Sequence, residues 1–199
     1  ILALLLGLFL ILTWISPAWA LGNQEIENFR TAKNRMREIY QENPVTLYCN
    51  CQFSEGGKAL DRSSCGYVPK NDNDRAKRVE WEHIVPASLF GRQFTAWTTG
   101  APDCVTQNGK SFKGRRCARR MSRQFRLMEA NLQNLYPVVV ELNGRRSNLP
   151  LGVIPGETRE FGACDFEVDK TVVEIRPQIK GEVARAYLYM DRAYPDFNL

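Results

Sequence analysis

Histidine is nearly absent from this chain: its 199 residues contain one, His83. Any acid–base chemistry run by an imidazole near neutral pH therefore has one candidate. Its ordinary pKa of about 6.5 leaves it largely neutral and able to accept a proton. No Cys-x-x-Cys pair occurs among the six cysteines. With one histidine beside them, a structural zinc site lacks its usual ligand pattern. Internal repeats and low-complexity tracts are also missing, and no hydrophobic repeat argues for assembly, so a monomer is expected. Acidic residues are missing from Val105 to Arg126, where eight basic ones stand: Lys110, Lys113, Arg115, Arg116, Arg119, Arg120, Arg123 and Arg126. A run of one sign is usually a solvated face. Cations that neutralise phosphates also supply sequence-independent affinity for a polyanion, and arginine matches phosphate oxygens with a planar fork.

Charge is missing again from residues 1–20, which end in Ala18-Trp19-Ala20. A small-x-small ending after an apolar run reads as a secretory signal peptide, with a mature chain starting at Leu21. An uncleaved membrane anchor is the competing reading, since the run is nearly long enough to span. Residues 21–199 are long enough for one domain with a real core. Six cysteines suit an exported protein and allow fifteen pairings of three bridges. Spacing suggests local loops Cys51–Cys65 and Cys104–Cys117, leaving Cys49–Cys164 to tie distant parts. The net charge of +5 is mild, and its distribution matters more than its size.

The periodicity predicts a mixture of helices and short strands, an α+β chain. Residues 22–41 read as an amphipathic helix capped by Asn23, with Ile26, Phe29, Met36, Ile39 and Tyr40 near one core-packing face. Thr46–Cys51 reads as a short strand. Residues 52–78 read as loop, and residues 88–118 as a long loop. Residues 120–133 are expected to be helical with Met121, Phe125, Met128 and Leu132 buried. Pro137 suits the first turn of the next helix and Gly144 its end. That places Asn143 in the last turn, where an amide caps the helix or faces a cleft. Residues 149–165 read as loop, Phe166–Arg176 as a strand and 180–194 as a final amphipathic helix.

The stretch Val79-Glu80-Trp81-Glu82-His83-Ile84-Val85-Pro86-Ala87 reads as a strand that delivers polar groups to its exit. Neighbours on a regular strand face opposite sides, so Glu82 and His83 converge only where the strand ends or bulges. If the substrate is a phosphodiester, the barrier to be removed is of order 8–23 kcal/mol or more. A general base supplies about 10²–10⁴-fold, and a divalent cation is the usual source of the remainder. A hard cation takes oxygen ligands and keeps several waters. Glu82 and Asn143 can supply one carboxylate and one amide oxygen, His83 the base, and Arg115 a cation for the phosphate.

The strings LYCNC (47–51), SCGYV (64–68), EWEHIVPA (80–87), NLYPVVVELNGRRSN (134–148) and VARAYLYM (183–190) together resemble the bacterial endonuclease I family, over about residues 25–195. The resemblance implies a disulfide-stapled fold around a ββα-metal, or His-Me finger, motif: the His83 strand, a short strand near Asn134, and the helix carrying Asn143. It implies a periplasmic or secreted endonuclease that cuts double- and single-stranded DNA, and RNA, with little sequence preference and leaves 5′-phosphate ends. Mg²⁺ is the implied ion, with Ca²⁺ or Mn²⁺ as substitutes. His83 is implied as general base, Glu82 and Asn143 as metal ligands, and Arg115 as the phosphate-contacting arginine. Lys110, Lys113, Arg116, Arg119, Arg120 and Arg146 are the further nucleic-acid-binding candidates. Gln133 stands where the family has His, and Arg145 where it has Asp. The family continues past the last helix with an aromatic-rich segment that these residues do not include, so either a truncated sequence or a shortened protein is expected. Two rival readings remain: a catalytically silent nucleic-acid-binding protein of the same fold, and a secreted glycosidase using Glu80 and Glu82 as its paired carboxylates.

Overall fold

The computed structural model describes residues 22–199; the expected signal peptide lies outside the described residues. In chain order the elements are α1 (Phe29–Ile39), β1 (Gln52–Ser54), β2 (Ala59–Asp61), β3 (Val79–His83), α2 (Ala87–Gly91), α3 (Thr95–Thr98), α4 (Arg115–Met121), α5 (Arg123–Glu129), β4 (Leu135–Val139), α6 (Val140–Arg146), β5 (Phe166–Val168), β6 (Val173–Ile175) and α7 (Lys180–Ala193). The chain is α+β, as expected. Its strands form three antiparallel pairs, β1–β2, β3–β4 and β5–β6.

Several expected boundaries move, each for a local reason. The first helix starts at Phe29 because Asn28, not Asn23, is its cap, accepting from the Arg30 amide. Asn23 closes a separate turn, accepting from the amides of Glu25 and Ile26. Thr46–Cys51 is a turn rather than a strand: the Asn50 amide donates to the Thr46 carbonyl at 2.9 Å, and Asn50 takes φ 59°. The strand comes just after it, as β1, and pairs with β2 inside the expected 52–78 loop. The long loop of 88–118 contains α2, α3 and the start of α4. The helix expected over 120–133 is two helices, because extended Ser122 ends α4 and caps α5 by accepting from the Phe125 amide. Phe125 and Met128 are buried, whereas Met121 is exposed. Phe166–Arg176 is a hairpin, turned by Asp169, whose carboxylate accepts from the amides of Thr171 and Val172.

Pro137 lies in β4 opposite Trp81 rather than opening a helix. Its carbonyl accepts from the Leu47 amide, away from β3. The ring nitrogen is therefore also on the side where no ladder donor is needed. The helix begins directly after this strand, at Val140. Gly144 sits within α6 rather than at its end, since the helix stops at Ser147 with φ 52°. A side chain there would meet the guanidinium of Arg75, which donates to the Val140 carbonyl at 2.8 Å.

The largest buried cluster joins β4 and α6 to β5, β6 and α7, through Ile84, Val138, Leu142, Phe161, Phe166 and Ile175. A second packs α2 and α5 on α7 through Phe90, Phe125, Met128 and Met190. A third seats α1 on the β3–β4 pair through Ala32, Met36, Trp81 and Leu135. The bridges join Cys49 to Cys164, Cys51 to Cys65 and Cys104 to Cys117, the pairing suggested by spacing. No helix of the described residues is long and apolar enough to cross a membrane.

Candidate active site

β3 and β4 run antiparallel in register from Val79 opposite Val139 to His83 opposite Leu135. α6 follows β4 with no linker and packs back over the pair. Period-two alternation puts Glu80 and Glu82 on the strand face that meets α6, where Asn143 and Arg146 share a face three residues apart. The Asn143 amide donates to Glu80 Oε1 at 2.8 Å. Arg146 Nη1 donates to Glu82 Oε1 at 2.5 Å. β3 ends at His83, so the imidazole and the Glu82 carboxylate reach the same cavity despite leaving the strand on opposite sides. That cavity, of about 440 Å³, is lined by Glu80, Glu82, His83, Arg115, Asn143 and Arg146 among others. The proposed base, both proposed ligands and the phosphate arginine are thus brought together.

His83 is held from several directions. Its Nε2 lies 2.8 Å from the Glu129 carbonyl oxygen. A carbonyl only accepts, so Nε2 carries the ring proton and Nδ1 keeps its lone pair. Phe29 of α1 stacks on the ring at 5.0 Å between centroids. Burial, helped by the charge of Arg115, pushes the imidazole down to about 3, although the Glu129 carbonyl pulls the other way. The ring is therefore neutral across the physiological range.

Burial pushes the Glu82 carboxyl up to about 7, with Arg146 opposing the rise. Arg146 is fully buried and also donates to the carbonyls of His83 (2.8 Å) and Ile84 (2.6 Å). This corrects the expectation that Arg146 contacts nucleic acid. Its Nη1 and Nη2 hold the end of β3 and balance Glu82, while its Nε is buried without a partner among the described residues. Lys110, Lys113, Arg116 and Arg120 are exposed and do not line the cavity. Arg116 lies over the Phe112 ring at 4.2 Å.

Arg115 opens α4, two residues before Cys117, so the Cys104–Cys117 bridge anchors its turn. Its Nε pairs with Glu129, as does that of Arg119. Arg115 Nη2 is buried without a hydrogen-bond partner. Glu129 was not singled out by sequence reasoning, yet its carbonyl orients the base and its carboxylate grips two arginines. A signal existed: it is the only acid between Asp103 and Glu141, at the end of the basic run. Phe29 carried no such signal, because an aromatic on an amphipathic helix reads as core.

Oxygen donors dominate the β3–α6 face. The Asn143 amide nitrogen is committed to Glu80, which leaves Oδ1 as the atom available to a cation. Glu82 is a buried carboxylate whose charge is only partly balanced. This donor set fits a hard divalent ion and offers no soft ligand.

The sequence profile of the endonuclease I family matches residues 15–197. An extracellular deoxyribonuclease of Aeromonas hydrophila is 38% identical over 195 residues, covering 96% of this chain and 77% of that protein. A periplasmic deoxyribonuclease of the same organism is 37% identical, covering 96% and 75%. An endonuclease-1 of Buchnera aphidicola subsp. Acyrthosiphon pisum is 33% identical, covering 85% and 64%. The chain belongs to the endonuclease I family.

Proposed function

We propose that this chain is an exported, metal-dependent endonuclease that hydrolyses phosphodiester bonds of DNA, and of RNA, to 5′-phosphate products, with β3, β4 and α6 serving as its ββα-metal motif. The observation that carries the reading is the His83–Glu129 hydrogen bond, which directs the Nδ1 lone pair away from the carbonyl in a cavity shared with Glu82, Asn143 and Arg115. Export is supported by the extracellular and periplasmic relatives and by three disulfides.

In this mechanism His83 Nδ1 takes the proton of the attacking water. An imidazole held near 3 is a weak base. The charge of a phosphodiester entering beside Arg115 offsets the arginine field and raises its basicity when substrate is present. The unpartnered Arg115 Nη2 donates to a phosphate oxygen. Glu82 and Asn143 would hold the divalent ion, Mg²⁺ being our assignment, with Ca²⁺ or Mn²⁺ in its place. When bound, that ion stabilises charge on the phosphate and the leaving oxygen. Arg146 keeps the Glu82 carboxylate oriented from below. Lys110, Lys113, Arg116, Arg119 and Arg120 supply the wider attraction to double- and single-stranded nucleic acid. The chain acts as a monomer.

The test is incubation with plasmid and with RNA, in Mg²⁺ and in chelator, for the wild type and Glu82→Ala. Cleavage that needs metal and falls by about 10³-fold or more in the variant is expected, a range typical of losing a main source of charge stabilisation. Cleavage that persists in chelator would overturn the reading, and so would binding without cleavage in every divalent ion.

A further inference from the structure

Beside the His83 cavity lies a second cleft of about 300 Å³, between α1 and the α4–α5 pair, lined by Phe29, Arg30, Lys33, Arg119, Arg126 and Glu129 among others. Phe29 lines both cavities. The Glu129 carboxylate joins them, one oxygen on Arg115 and the other on Arg119. We propose that this cleft is a second phosphate subsite, holding the nucleic-acid phosphate that neighbours the one at His83. The inference rests on the nucleic-acid reading of the first cavity and names where the strand runs next.

Charge is the main argument. Lys33 Nζ, Arg115 Cζ and Arg119 Cζ lie 5.1, 5.3 and 5.8 Å from the centroid of the Phe29 ring. Three cations around one ring repel each other, and the ring face attracts each only weakly. The carboxylates in the cleft are already engaged: Glu129 by Arg115 and Arg119, Glu27 by Arg123 and Arg126. Arg30 and Lys33 form no ion pair among the described residues. The local balance is therefore positive, and what is missing is an anion.

Position is the second argument. α1 looked like a core-packing helix, and its Ala32 and Met36 do pack on Trp81 and Leu135. That packing fixes the first turn of α1 against the active-site wall, so Lys33 faces the cleft while Phe29 touches the base. Arg30 and Lys33 are displayed on α1, and the one amide lining the cleft, Asn28, has its oxygen engaged as the cap of that helix, accepting from the Arg30 amide. Such an arrangement recognises a backbone and not a sequence.

The experiment measures binding of a labelled duplex of about 30 base pairs, in chelator, between roughly 50 and 200 mM salt. The proteins are the wild type, Lys33→Ala, Arg30→Ala, the double variant, Lys33→Arg, and Lys170→Ala as a control on the β5–β6 turn. Each lost phosphate contact should flatten the plot of log affinity against log salt by about 0.9. The double variant, which empties the one subsite, should lose about 0.9 and bind about tenfold more weakly, while Lys33→Arg and Lys170→Ala keep the wild-type slope. In the metal-loaded enzyme the double variant should raise KM by a larger factor than it lowers kcat. A double variant with the wild-type slope overturns the subsite. Loss of slope in Lys33→Arg as well would assign the effect to folding and also overturn it. Because binding is read in chelator, failure of the wild type to cut DNA would sink the nuclease reading alone; failure to bind the duplex at all would sink both.

Discussion

At the scale of single residues, burial moves two titrating groups of the cavity in opposite directions, His83 down and Glu82 up. His83 is kept neutral by burial, so its role requires position more than titration. Glu82 is the group whose charge changes near neutrality, because burial lifts it to about 7. A protonated carboxyl does not ligate a cation, so metal affinity should fall roughly tenfold per pH unit below about 7 and level off above it. Calorimetric titration of Mg²⁺ at about pH 5.5, 6.5 and 7.5 checks this; equal affinity throughout would remove Glu82 from the ligand set. Glu129 makes a separate prediction. Glu129→Gln keeps the carbonyl that orients His83 but weakens the hold on Arg115 and Arg119. Turnover should drop by about 10–100-fold, as for a misplaced catalytic contact. Metal affinity should stay near that of the wild type. An unchanged rate would show that Arg115 is positioned without this carboxylate. That His83 and Glu82 line one cavity was foreshadowed in the sequence, because a lone histidine beside a carboxylate stands out. The buried partners were not: Arg146 reads like any surface arginine until its three acceptors are seen.

At the scale of elements, the β3–β4 pair and α6 form the frame, and Arg146 fastens the helix to the strand end. Arg146→Ala removes one partner of a buried ion pair, which typically costs about 3–5 kcal/mol. Urea unfolding should report a loss of that size. A change within about 0.5 kcal/mol, in the range of ordinary surface substitutions, would return Arg146 to the surface role expected from sequence. The Cys104–Cys117 bridge closes a short loop and anchors the turn that carries Arg115. Replacing both cysteines by serine should cost about 3 kcal/mol and slow cleavage; unaltered turnover would mean α4 holds Arg115 unaided. β3 and α7 were legible because each is one uninterrupted periodic run. The break at Ser122 and the turn at Asp169 were not, because apolar residues resume directly after both short polar stretches and the decisive signal is one side chain accepting from a nearby amide. Pro137 misled for a related reason. Its missing N–H suits a helix start, but it suits the open side of a two-stranded ladder equally well.

At the scale of the molecule, three small sheets and seven α-helices, all among the described residues, are joined by four buried clusters and three bridges. The α+β class followed from periodicity and the bridge pairing from spacing. The meeting of α1 with α4 and α5 did not, because the ion pairs of Glu27 with Arg123 and Arg126 span about a hundred residues of sequence. The central claim is that the His83 imidazole itself removes the proton from water. Its most direct test is the cleavage rate of His83→Ala at saturating Mg²⁺, with and without added imidazole. The account predicts a rate lowered by at least about 10²-fold, the usual worth of a general base, and partly restored by free imidazole. A variant that cuts at the wild-type rate would contradict it.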